Sequence, residues 1–147
     1  MYLLSFSQLA LYDYINHTIQ FEILWLYEYA IIRILPVAER EEFLNVGIIL
    51  FCKKEKYINV LYKINKEKLR LLAKDLDIEQ IHLNLQSFEK IALGAENSGP
   101  ISLLDVPSRF RWLTAVRSSV IQTSKTHPGL CNNLEQTAKR LFEELVL

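Results

Sequence analysis

Apolar and polar residues follow two periods along the chain, and each period predicts a kind of element. Tyr29-Ala-Ile-Ile-Arg-Ile-Leu35 is rich in β-branched side chains and stops at Pro36, which has no N–H for a central ladder. Val46-Gly-Ile-Ile-Leu-Phe-Cys52 is an unbroken apolar run of strand length, the pattern of a strand buried on both faces. Lys53-Lys-Glu-Lys56 is a charged turn, and Tyr57 to Tyr62 alternates as a returning hairpin partner would. Three such strands in succession predict an antiparallel meander.

The period then lengthens to that of helices. Asn65 caps a short helix carrying Leu69 and Leu72. Asp77 with Gln80 resembles a capping box, and Ile78, Ile81, Leu85, Phe88 and Ala92 follow at 3.6-residue spacing until Gly94. Asp105, with Pro107 just inside, opens a helix that turns Phe110, Leu113 and Val116 to one side. Val120 to Thr123 reads as a fourth strand. Asn133 with Gln136 starts the last helix, whose inward stripe is Leu134, Ala138, Leu141, Phe142 and Leu145. Its wet side carries the i,i+4 pairs Glu135/Lys139 and Arg140/Glu144. The predicted fold class is α+β: a small antiparallel sheet, a three-stranded meander plus a fourth strand, packed with about four helices.

Residues 1–26 follow neither rule. They are apolar, and no Lys or Arg precedes Arg33, so a signal peptide lacks its basic region and its small-residue cleavage site. A membrane span needs about 20 nearly uncharged residues. Asp13, Glu22, Glu28 and Arg33 interrupt any such stretch. The expectation is a peripheral amphipathic helix, or an extension from a start codon placed too early and not native to the protein. Residues 27–147 are expected to form one α+β domain.

Composition narrows the class further. Half of the 147 residues are apolar, which excludes a disordered tail or a collagen-like fibre. Seventeen basic and 17 acidic side chains cancel, so a polyanion would have to be met by a local patch. Two cysteines outside any CxxC pair suit a reducing cytosol, and three histidines are too few for a His-rich metal site. Neither a cofactor nor a metal is expected.

Two stretches carry a resemblance. One runs Glu28-Tyr-Ala-Ile-Ile-Arg-Ile-Leu-Pro36 and on through Glu39-Arg-Glu-Glu-Phe-Leu-Asn-Val-Gly-Ile-Ile-Leu-Phe51. The other runs Arg109-Phe-Arg-Trp-Leu-Thr-Ala-Val-Arg-Ser-Ser-Val-Ile-Gln-Thr-Ser124 and ends in His127-Pro-Gly-Leu-Cys131. Together they resemble the bacterial domain-of-unknown-function family 3037, over about residues 27–147. The resemblance implies a bacterial cytosolic protein and brings no activity with it. It also implies a setting beside HipA-like kinases, and hence a protein partner. Members of the family begin near the first strand, so the apolar leader departs from their pattern.

The strongest local anomaly is electrostatic. No acidic residue occurs from Val106 to Leu134, a stretch that holds Arg109, Arg111, Arg117, Lys125 and His127. Ser118, Ser119, Gln122 and Thr123 lie among them, and guanidinium groups with nearby hydroxyls suit anions. The acidic bend Glu39-Arg40-Glu41-Glu42, followed by Asn45, opens between two buried strands. Its carboxylates could hold Mg²⁺, or simply pair with the arginines. The expectation is that the Arg109–Cys131 segment and the Glu39–Asn45 loop form one recognition face. His127 and Cys131 invite a nucleophile reading, against which stands a plain Pro-Gly turn. Lys53 to Lys74 holds eight basic and two acidic residues, a nucleic-acid patch or a protected sheet edge. Trp112 is expected to be partly exposed, as an anchor for a partner would be. With no triad, metal box or Gly-rich loop, the preferred function is a non-catalytic accessory protein. The alternative is a phosphate-handling enzyme, or a nucleotide or nucleic-acid binder, using Arg109, Arg117, Glu41 and Glu42. Whether the chain is an enzyme stays open at this point.

Overall fold

The sheet in this computed structural model, which describes residues 3, 5–18 and 23–147, is built around one strand. A helix α1 (Phe6–Thr18) precedes that strand, β1 (Trp25–Ile34). Then come β2 (Leu44–Cys52), β3 (Tyr57–Tyr62), α2 (Lys66–Leu72), α3 (Ile78–Ala92) and α4 (Val106–Leu113). The chain closes with β4 (Ile121–Thr123), β5 (His127–Cys131) and α5 (Leu134–Leu145). Short 3-10 turns occupy Ala38–Arg40 and Pro100–Leu103. The sheet order is β3-β2-β1, with β4 and β5 both on the far side of β1, and every pairing is antiparallel. The meander and the α+β class are as the periodicity predicts. The described sheet has five strands rather than four.

Helices lie on both faces, which is why β2 is apolar without interruption. Ile49 and Phe51 face α2, α3 and α4 together with Ala30, Ile32 and Ile34, while Ile48, Leu50 and Cys52 face α5. A bulge interrupts this alternation. Ile32 pairs with Gly47 but Arg33 with Asn45, so Val46 is the extra residue and turns to the α2–α4 layer. The predicted caps are all made: Asn65, Asp77, Asp105 and Asn133 accept from the N–H groups of Lys68, Gln80, Ser108 and Gln136. The box at Asp77 is half-formed, because the Gln80 amide donates to Asn84 instead of reaching back.

Three expectations need correction. β1 begins at Trp25, four residues before the predicted Tyr29. α4 ends at Leu113, so Val116 is fully exposed and not on its inner side. The hydroxyl of Thr114 donates back to the Phe110 carbonyl, and the Ala115 N–H bonds to the Trp112 carbonyl, tightening the last turn. The third correction is β5, where His127-Pro-Gly-Leu-Cys131 is a strand and not a turn.

Its position explains how a strand tolerates Pro128. The Ser124 N–H donates to the Ile31 carbonyl, and the Ile31 N–H donates to the Ser124 hydroxyl. Both polar groups of Ile31 therefore point toward the β4–β5 edge, and by alternation so do those of Tyr29 and Tyr27. Their partners His127 and Gly129 face β1, and Pro128 between them turns its missing donor outward.

Gly129 has a packing reason as well. A Cβ there would overlap the ring of Tyr27, which is buried. Gly129→Ala is expected to cost about 2 kcal/mol, the scale of overpacking. Adding Tyr27→Ala should make the alanine nearly free, so the two changes couple. Denaturant melts of the single and double variants measure this, and strict additivity would contradict the contact.

α1 stands apart from this architecture. Its apolar residues, Phe6, Leu9, Leu11, Tyr12 and Ile15 among them, are exposed and at 100° per residue fall on every side. The expected amphipathic helix is thus a helix without a separate polar face. No helix among the described residues is long and apolar enough to cross a membrane. Glu22 lies outside the described residues, as does the side chain of His17.

Candidate functional site

The end of α4 builds the site. Beyond Thr114 the chain loops out to Val120 and returns as β4. The loop's neck is closed by the Thr123 hydroxyl, which donates to the Thr114 carbonyl at 3.3 Å. Its far side is tied to the end of β1, where the Leu35 N–H donates to the Val120 carbonyl at 2.8 Å. Within the loop Ser119 accepts from the Ile121 N–H, and the Gln122 amide donates to the Ser119 carbonyl.

The guanidinium carbon of Arg117 sits over the Trp112 ring, 4.0 Å from its centroid, and Nη2 donates to the Trp112 carbonyl. Stacking across a helix end is invisible to helical periodicity, which made Trp112 only a partly exposed aromatic. Its exposure is 39%. Burial pulls the Arg117 pKa below its usual value, with no neighbouring charge among the causes. The group remains a cation at neutral pH.

A cleft of about 160 Å³ opens beside it, between α3, α4, the loop and β4. Arg117, Ser119, Gln122 and Thr123 border it, and so do Asn84 and Ser87 of α3. The floor is apolar: Phe88, Ile91, Leu113 and Ile121. No acidic residue lines it. Asn84 and Ser87 escape a reading of the sequence, although they fall at i and i+3 beside the buried Phe88 and the half-buried Ile91. That polar break in an otherwise core-directed stripe is the signal available.

The remaining candidates are placed differently. Arg109 sends Nε to the Ala92 carbonyl at 3.0 Å and Nη1 to the Leu104 carbonyl at 2.5 Å, tying the end of α3 to the approach of α4. It packs against Gly94, where a Cβ would come within 3.3 Å of its guanidinium carbon. Arg111 pairs with Glu28 through two hydrogen bonds of 3.0 and 2.7 Å. In the acidic bend Arg40 pairs with Glu42 at 2.7 Å, and Glu41 takes a left-handed φ of 53° that ends the 3-10 turn Ala38–Arg40, which contains Glu39. Among the described residues no ion pair joins Glu39, Glu41 or Glu42 to Arg109, Arg111 or Arg117. The bend leaves the same sheet end as the Arg117 loop, because Ile34 pairs with Ile121.

Asn45 accepts from Arg33 and donates to the Leu145 carbonyl, holding the end of α5. Arg33 in turn sits over Phe43, 4.1 Å from its centroid. His127 meets Tyr29 in a tilted ring contact with centroids 5.2 Å apart, and Tyr29 lies on the α5 side of the sheet. Ser118 is exposed beside Arg117. Three strand residues separate Cys131 from His127, four steps or about 13 Å of backbone, so β5 holds the thiol and imidazole apart. Among the described residues no three metal-ligating side chains gather.

The cleft therefore joins one unneutralised cation, a set of hydroxyls and amides, and an apolar floor. That chemistry suits binding of an anionic group with an apolar neighbour. Comparison with curated proteins and with solved structures gives no match. Residues 29–146 do match one family, described as a protein of unknown function (DUF3037), and the chain belongs to it.

Proposed function

We propose that this protein is a non-catalytic binding module, bacterial and cytosolic, that works by holding a partner protein through the Arg117 cleft. One observation carries the reading: a partly buried guanidinium with no carboxylate beside it, at the mouth of an apolar-floored cleft. A desolvated charge without a counter-charge is costly, and an incoming anion would relieve that cost. Trp112 at the cleft, and Val116 and Val120 in the loop that carries Arg117, are exposed apolar side chains, which supports a protein partner. A HipA-like kinase is the first partner to try, and residues 27–147 are the unit that would bind it. The phosphate-handling alternative needs Arg109 to meet Arg117 and the acidic bend, whereas Arg109 spends two of its donors on backbone carbonyls.

The test is co-purification from the native host, with wild type beside Arg117→Glu and Val116→Asp. A stoichiometric protein should be retained by wild type and weakened at least about tenfold by charge reversal, the scale of like-charge juxtaposition at an interface. Equal retention by all three chains would move the interface elsewhere. Recovery of no stoichiometric protein would remove the proposal.

A further inference from the structure

Resting on the cleft as a binding site, its chemistry can be taken one step further, to the group it receives. Arg117 presents five N–H donors in one plane, and one Nη2 hydrogen goes to the Trp112 carbonyl. Nη2 carries two hydrogens, each forming a two-pronged edge with a neighbouring nitrogen. Whichever hydrogen the carbonyl takes, one edge stays complete. That complete edge presents two parallel N–H donors, the geometry that pairs a carboxylate, while the Trp112 ring lies 4.0 Å from the guanidinium carbon.

Four further observations select among anions. The cleft offers a single cation, which balances one negative charge and leaves a phosphate monoester, at nearly two charges, uncompensated. Its volume of about 160 Å³ is below the roughly 300–1,000 Å³ of pockets that enclose a whole drug-sized ligand. It takes the end of a larger molecule, not a nucleotide. Its floor of Phe88, Ile91, Leu113 and Ile121 is aliphatic and aromatic, so part of what enters is apolar. Asn84 has its amide NH₂ without a hydrogen bond to any described residue, and Ser87 has its hydroxyl likewise. Both stand ready for a second carboxylate oxygen or a peptide group.

We infer that the cleft binds a peptide carboxylate carried next to a branched apolar side chain, with the carboxylate on the open edge of Arg117 and the side chain on the Phe88–Ile121 floor. The carboxylate comes from an Asp or Glu side chain or from a chain terminus, the chemistry at Arg117 being the same.

The experiment is an NMR titration of the full chain, following the Arg117 Nε–Hε and Trp112 indole signals. The probes are 3-methylbutanoate, its neutral amide, and inorganic phosphate. The acid should give saturable shifts confined to the cleft in the millimolar range. The amide should bind at least about tenfold more weakly, since a charge-assisted bond is replaced by a neutral one. Arg117→Gln should abolish the response, and Arg117→Lys, which keeps the charge and loses the fork, should weaken it several-fold. Unchanged backbone signals outside the loop show that the variants fold. A blocked peptide with an internal Glu-Leu step, set against one ending in a free Leu carboxylate, separates the two sources.

Equal binding of acid and amide overturns the inference, and so does a response to phosphate alone. So does the absence of any cleft shift at tens of millimolar acid. In each of those cases, a partner protein still lost on Arg117→Glu would leave the binding-module reading standing. Conversely, carboxylate binding without a stoichiometric protein would support the site's chemistry while removing the partner.

Discussion

Phe110→Ala should lower stability by about 4 kcal/mol, within the range for emptying a buried aromatic site. Phe110 is fully buried and stacks on Phe51 of β2, ring centroids 4.7 Å apart with planes 23° from parallel. It is the point at which α4 is fastened to the sheet. Neighbouring core side chains such as Leu85 and Phe88 sit on a helix of their own and cannot collapse freely into the space. The melting temperature should fall by about 10 °C for a chain of this size. Urea denaturation measures the loss, and an unchanged slope would show that cooperativity survives. A loss under about 1 kcal/mol would mean that the site repacks and that α4 is held elsewhere. The change should also blunt the cleft, because Trp112 and Leu113 follow Phe110 on the same short helix.

Gly47→Ala is the second large effect, expected at about 3 kcal/mol, the upper end of overpacking. The reason is backbone, not side chain. A Cβ at Gly47 would lie 2.5 Å from the Leu61 carbonyl oxygen and 2.8 Å from the Tyr62 Cβ. No rotamer change removes a main-chain oxygen, so β2 and β3 would have to separate. Gly47 pairs with Tyr62 where the ladder meets the Val46 bulge, the place at which register is set. Amide exchange should therefore quicken in β3 and at the Lys63 N–H, which donates to the Val46 carbonyl. Wild-type protection in β3 of the variant would contradict the steric argument.

The elements with strong local signals are legible from the residues alone. The unbroken apolar run of β2, the alternation of β3, four side-chain caps and the stripe of α5 all come from neighbours in the chain. Both predicted i,i+4 pairs of α5 are present, at 3.5 and 3.0 Å. What is missed depends on distant partners. β5 contains Pro-Gly, which is read as a turn unless it is known that Pro128 faces away from β1 and that Gly129 lies under Tyr27. The Val46 bulge leaves no local trace.

The candidate site divides in the same way. The acid-free stretch brings Arg117, Ser119, Gln122 and Thr123 to one cleft. Arg109 belongs to a different place, because its acceptors are carbonyls of Ala92 and Leu104, groups that side-chain patterns do not encode. Asn84 and Ser87 come from a helix whose periodicity announces only its buried face.

The broken edge formed by β4 and β5 has a consequence for how these molecules meet one another. An approaching strand would find no continuous row of donors there, because Pro128 supplies none and the line jogs at Ser124. At the opposite margin, Lys53, Lys54, Lys56 and Lys63 flank β3 with like charge. Both flanks thus disfavour the strand-on-strand pairing by which copies of a chain extend one another's sheets.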